Sequence, residues 1–128
     1  MAVAARRVAA GRDVRGPRLE HTDVQRDLAG AERALNEARR LEPDNASVTA
    51  NLGLLQAEKG NLPAAIQALS AALAIDPTLH EARFNLAIAY AKAGRRSEAA
   101  AAARELLDRL PSNAPQRSEV ERLLRAVQ

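Results

Sequence analysis

Apolar positions in this 128-residue chain recur at helical spacing in six stretches, and the marks between the stretches also recur. Val24, Leu28, Ala31, Leu35 and Ala38 form one face of a stretch near 23–41. Val48, Leu52 and Leu55, with the stem of Lys59, do the same for 46–59, and further helices are predicted near 63–75, 80–93 and 97–109. A last one, near 115–127, carries Val120, Leu123, Leu124 and Val127 on one side. Alanine and leucine, both strong helix formers, abound and β-branched runs are scarce, so an all-α chain is expected.

Pro43, Pro77 and Pro111 stand 34 residues apart, and Gly60 and Gly94 sit halfway between them at the same interval. Proline cannot continue a helix and pushes the preceding residue out of the α region. Glycine just past an apolar-periodic stretch supplies a left-handed C-terminal cap. Each 34-residue period therefore predicts two helices, one closed by Gly and one closed before Pro. Residues 51–60, NLGLLQAEKG, and 85–94, NLAIAYAKAG, are the same phrase written twice in that register. Thr22 and Gln25 form a capping box for the first helix, Pro63 sits in a first turn, Ser97 is the expected N-cap of 97–109, and Asn113 that of 115–127. Residues 1–21, with Gly11 and Gly16-Pro17 as breaks, are expected to form a flexible Arg-rich tail.

This pattern is similar to the tetratricopeptide repeat. Leu52, Gly53, Gly60, Ala65, Leu69, Ala72 and Pro77 carry the resemblance in one unit; Leu86, Ala87, Tyr90, Gly94, Ala99 and Pro111 carry it in the next. It implies an all-α solenoid of stacked antiparallel helix pairs, a right-handed superhelix, with a half repeat at 23–45, repeats at 46–79 and 80–113, and a capping helix at 115–127 within a domain spanning 22–128. Gly53 and Ala87, with Ala65 and Ala99, are small where helix backbones would approach, while Leu52, Leu55, Leu69 and Leu73 can fill the seam. One such pair cannot bury its own apolar face, and stacking supplies the continuous core. The chain departs from the pattern at Gln56, Leu62 and Ala103, where larger or aromatic residues are common; Leu106 and Leu107 are expected to compensate for Ala103.

Tetratricopeptide arrays bind extended or helical peptides on the concave surface of their first helices. By that resemblance Ala50, Asn51, Leu54 and Glu58 from one unit, and Phe84, Asn85, Ile88 and Lys92 from the next, line a mainly apolar groove. Leu54 and Ile88 would be neighbours, Ala50 would face Phe84, and Asn51 and Asn85 would form a two-rung amide ladder. Truncating Phe84 and Ile88 together is expected to abolish binding with little loss of stability. Basic residues on this surface are few, Lys92 and Arg83, with Ser47, Ala50, Glu81 and Phe84 over much of the rest, so a clamp for a C-terminal carboxylate is not expected. The competing account is that the apolar strip is covered by the chain itself, by the 23–41 helix or by the tail acting as a pseudo-ligand.

Composition narrows the alternatives. Aromatic content is 2%, with no Trp, so the core must be built from Ala, Leu, Val and Ile, as suits closely packed helices. There is no cysteine, which removes disulfides and thiolate metal sites. No Ser-His-Asp arrangement, phosphate-binding Gly-rich loop or His-Glu metal signature is present, and His80, beside Asp76 and Glu81 after a Pro turn, reads as a surface or capping residue. No cofactor and no enzymatic activity are expected; the partner is a protein or peptide. The net charge of +3 resides in residues 1–26, which hold six arginines against three acids, while the remaining residues balance 13 basic with 13 acidic. With no aromatic among those arginines and no nucleic-acid motif after them, a solvated tail is the expectation and nucleic acid is not an expected partner. Arginine far exceeds lysine and alanine abounds, as codon usage in a GC-rich bacterial genome would give. No apolar run is long enough to span a membrane and no secretory segment opens the chain, so the expected location is cytoplasmic. A structural role, with self-association or assembly through the solenoid ends or as the accessory domain of a larger complex, is the alternative to peptide binding.

Overall fold

The computed structural model describes the backbone of residues 17–128 and the side chains from residue 27 onward. The chain divides into two compact units, Met1–Ala31 and Glu32–Gln128. Of the first unit, the described part is the opening of helix α1, which runs Pro17–Leu41. That start lies upstream of Thr22, so the expected capping box falls inside the helix. Proline is at home in a first helical turn, where its missing N–H would have had no partner and its fixed φ is already helical; Pro17 is the first residue of the described helix. Of the tail expected over residues 1–21, residues 1–16 lie outside the described residues and 17–21 fall within α1.

The second unit holds the rest of α1 and five more helices: α2 (Ala46–Glu58), α3 (Leu62–Ile75), α4 (His80–Lys92), α5 (Arg96–Arg109) and α6 (Arg117–Val127). Among the described residues there is no strand. Helix α2 packs on α3 and α4 on α5 as hairpins; α3 meets α4, α5 meets α6, and α2, α4 and α6 lie successively side by side. Among the described residues no helix is long and apolar enough to cross a membrane.

The hairpin turns follow from the glycines. Gly60 and Gly94 have φ of +84° and +80°. At the first, the Gly60 N–H donates to Ala57 O and the Asn61 N–H to Gln56 O; at the second, Gly94 donates to Ala91 O and Arg95 to Tyr90 O. These are the paired bonds of a Schellman cap, which satisfy the orphan carbonyls of a helix end and require a left-handed residue between them. Asn61 also begins the next helix, its side chain accepting from the Ala64 N–H at 3.3 Å, as Asn45 does for α2 from Val48 at 3.2 Å. Pro63 lies in the first turn of α3, as its fixed φ favours. In the second hairpin Arg95 occupies the cap position of α5 and Ser97 lies within the helix, so Ser97 is not the N-cap. The Schellman geometry already delivers Arg95 to the helix start, where its guanidinium grips Glu98 at 2.6 and 2.7 Å and stands 5.0 Å from the Tyr90 ring centroid. Helix α6 likewise starts later than expected and is not capped by Asn113. Two successive turns, Ala114 N–H to Pro111 O and Arg117 N–H to Ala114 O, carry the chain to Gln116 first.

Leu52, Leu55, Leu69 and Leu73 are buried, as are Ala65, Ala72, Ala87 and Ala99. Ile66, Leu69 and Leu73 of α3 meet Ala82, Leu86 and Ala89 of α4 in one cluster. Ala103, Leu106 and Leu110 meet Val120 in a second, with Leu107 against its edge, so α6 supplies the volume that Ala103 leaves. A Cβ on Gly53 would lie 2.8 Å from Leu69 Cγ and within 3.2 Å of the α3 backbone, so α2 and α3 touch where no larger residue fits. Thr49 is buried in α2 where Val48 was the expected inward residue, and Lys59, rather than laying its stem inward, reaches Glu32 at 2.6 Å.

Candidate functional site

Helices α2, α4 and α6 present a common face, and two clefts run along it. The smaller, about 200 Å³, is lined by Leu54, Ala57, Glu58, Leu69, Asn85, Ile88, Ala89 and Lys92. The larger, about 490 Å³, is lined by His80, Glu81, Phe84, Asn85, Leu106, Leu110, Gln116, Glu119 and Val120. Asn85 belongs to both, so the two clefts adjoin at that residue.

Five of the eight groove residues named from sequence, Leu54, Glu58, Asn85, Ile88 and Lys92, are brought together in the smaller cleft. Leu54 is 40% exposed; Ile88 beside it is half-buried. Phe84 lines the larger cleft instead, and its ring packs against the cluster of Ala103, Leu106, Leu110 and Val120. Ala50 is packed against the α3–α4 cluster, and Phe84 against that of α5 and α6. Asn51 is exposed and lines neither cleft, and no hydrogen bond joins it to Asn85 among the described residues. The half-buried Asn85 amide has no intramolecular partner among those residues.

Arg83 is not a groove cation. It is 8% exposed, its Nη2 donates to Pro77 O at 3.0 Å and its Nη1 lies 3.4 Å from Glu105. The guanidinium thus ties the α3–α4 turn to α5. Arg117 is similarly spent on the end of α5, where its Nη1 donates to Leu107 O at 2.9 Å and Leu110 O at 3.2 Å. His80 opens α4 without capping it, and its Nδ1 is buried with no hydrogen-bond partner among the described residues.

The contribution of α6 was missed in the sequence, although a signal for it exists. The 34-residue step that relates Asn51 to Asn85 leads next to Glu119, and the step from Leu52 to Leu86 leads to Val120. Helix α6 therefore repeats the first-helix register and extends the groove, with Gln116, Glu119 and Val120 on its wall. Asp76, outside the groove, holds its turn by accepting from Thr78 Oγ1 at 2.6 Å and Thr78 N at 3.0 Å, which keeps its carboxyl below the usual aspartate range.

Profiles of the tetratricopeptide repeat match residues 24–80 and 56–127. The chain belongs to the tetratricopeptide repeat family. Among solved structures it is similar to the TPR2B domain of yeast Sti1 in its pHsp70 complex, with a TM-score of 0.75 at 19% identity over 84% of this chain and 88% of that one. The Yersinia enterocolitica type III secretion chaperone SycD, in complex with a peptide of the translocator YopD, gives a TM-score of 0.72 at 17% identity over 91% and 96% of the two chains. The TPR domain of Arabidopsis OM64 gives 0.70 at 25% identity over 84% and 88%. These likenesses establish the all-α fold of packed helix pairs. No curated protein matches the chain in sequence.

Proposed function

We infer that this protein is a non-enzymatic interaction module that holds a peptide or helix of a partner protein along the groove of α2, α4 and α6. One observation carries the inference: two apolar-floored clefts join at Asn85 on the face that the core leaves open, with Leu54, Asn85 and Ile88 not consumed by the fold. Similar folds are solved with partners, the TPR2B domain of yeast Sti1 in a pHsp70 complex and SycD with a YopD peptide, which supports the reading.

The magnitudes describe a modest binder. Full burial of a Leu or Ile side chain yields about 1.5–3 kcal/mol; Leu54 and Ile88 are already partly covered, so each adds about 1. A hydrogen-bonded Asn85 adds about 1 more. Together these give about 3 kcal/mol, which an ordering cost of roughly 2–5 kcal/mol for a disordered segment offsets, so binding depends on an anchor side chain in the larger cleft to reach even millimolar affinity, about 4 kcal/mol.

The test is crosslinking capture with wild-type protein and a Leu54→Asp/Asn85→Ala variant. Both positions are accessible, so thermal stability should hold within a few degrees while capture falls at least about tenfold. Equal capture by both proteins would sink the groove reading. Phe84→Ala is a poorer probe than its sequence position implies, because the ring also supports the α5–α6 cluster.

A further inference from the structure

We propose that the larger cleft selects a cationic partner segment, one that sets an apolar side chain on the floor and an adjacent arginine or lysine against the rim. This rests on the groove reading above and names the class of ligand for one half of it. Phe84, half-buried and packed with the buried Leu106, Leu110 and Val120, supplies the accessible apolar surface of the floor, while Glu81 and Glu119 stand exposed on α4 and α6. No arginine or lysine lines the cleft, and among the described residues neither carboxylate has an ion-pair or hydrogen-bond partner. The cations that sequence proximity would have offered are committed elsewhere: Arg83 to Pro77 O and Glu105, Arg117 to the carbonyls of Leu107 and Leu110.

The plain explanation for two carboxylates here is helix-end electrostatics. Each lies in the first turn of its helix, where the dipole favours an anion. That accounts for their tolerance but not for their neutralisation, because a helix end carries only about half a positive charge. Two ends against two carboxylates leave about one negative charge at Glu81 and Glu119; Arg117, in the same first turn of α6, keeps its own charge but is held on the carbonyls of Leu107 and Leu110 rather than paired to either carboxylate. The repeat register strengthens the point. Along the first-helix faces, the position held by Asn51 and then Asn85 becomes Glu119 in α6, while the smaller cleft keeps Glu58 matched by Lys92. The groove is charge-balanced at one end and acidic at the other, so it orients a ligand as well as selecting it. A ligand ending in clustered carboxylates is disfavoured for the same reason.

The experiment is selection of phage-displayed random dodecapeptides on the immobilised full chain, followed by fluorescence polarisation with the synthesised winners. Enriched peptides are expected to carry Arg or Lys next to an aliphatic or aromatic residue. They should bind E81Q/E119Q about tenfold more weakly at low salt, and should lose affinity for wild type as salt rises and screening sets in. E81K/E119K should reverse the preference toward acidic peptides, a gain that misfolding cannot imitate. Winners that need Leu54 and Asn85 but show no cationic enrichment, or that bind E81Q/E119Q as tightly as wild type, would overturn the proposal and leave the groove standing. Failure to enrich any peptide, or winners indifferent to Leu54→Asp/Asn85→Ala, would overturn both.

Discussion

Replacing Gly53 with alanine should destabilise the protein, although helix propensity alone predicts the opposite. In an exposed helix interior Gly→Ala gains about 1 kcal/mol. At this position the new Cβ would meet Leu69 Cγ at 2.8 Å, Leu69 N at 3.1 Å and Ala65 O at 3.2 Å. Carbon atoms in comfortable contact stand roughly 3.5–4.0 Å apart, so α2 and α3 must separate by about 0.7 Å or Leu69 must turn. Leu69 is 1% exposed and has nowhere to turn, and the other two atoms are backbone. Overpacking of this kind costs about 1–3 kcal/mol, and three simultaneous contacts place it in the upper half. After the propensity gain, a net loss of about 1–2 kcal/mol remains, a fall in melting temperature of roughly 4 °C for each kcal/mol. The next repeat supplies the control. There Ala87 and Ala103 take the places of Gly53 and Leu69, both fully buried: a larger residue on one helix accompanies a smaller one on the other. Leu69→Ala alone should cost about 2–5 kcal/mol, and in that background Gly53→Ala should become neutral or stabilising. Urea denaturation of the four proteins in the cycle measures the coupling. The reasoning is refuted if Gly53→Ala stabilises the wild type, or has the same effect in both backgrounds.

Other consequences of the structure can be measured as simply. Gly94→Ala places a Cβ in open space but forces alanine to a φ of +80°, so it should cost about 1–2 kcal/mol with Gly94→Asn costing less, read by chemical denaturation. Arg83→Met keeps the packed stem but leaves Pro77 O without its donor, for an expected loss of about 1–2 kcal/mol; unchanged stability in urea would contradict the tether. Glu32, held by the Lys59 ammonium and then by Gln56, lies below the ordinary carboxyl value of 4.5, and Asp76 is depressed by Thr78. A depressed carboxyl stabilises the fold fully above its unfolded value and loses that contribution as pH falls through the folded one. The melting temperature should therefore be level from neutral pH to about 5 and fall below about 4, with Glu32→Gln removing part of the slope; a rise in stability on acidification would contradict this sign.

Much of the fold was legible because one residue type enforces each turn. Only glycine readily takes the φ at positions 60 and 94, and proline excludes helix at 43, 77 and 111, so a 34-residue rhythm in those letters is a rhythm in structure. Caps were less legible. Ser97 and Asn113 have the right chemistry, but the preceding turns, closed at Gly94 and by the bonds of Ala114 to Pro111 and Arg117 to Ala114, decide which residue arrives at the helix start. The groove was half legible. Helical periodicity separated Leu54 and Ile88 from the core face, yet it cannot say which way a long side chain reaches. Arg83 folded back onto Pro77 and Phe84 leaned onto α6, both for contacts made far along the chain. The place of Glu119 and Val120 beside the larger cleft is hidden when the last helix is read only as a capping helix, although its register continues the series from Asn51 and Leu52.

The central claim, that a partner segment lies along α2, α4 and α6, is tested most directly by NMR. A peptide selected on the full chain is titrated into isotope-labelled protein while amide and methyl shifts are followed. The account predicts saturable changes at Leu54, Asn85, Ile88, Gln116 and Val120, with Gln67 and Ala71 on α3 and Asp108 on α5 unmoved. Saturable changes confined to α3 and α5, with the groove residues silent, would contradict it.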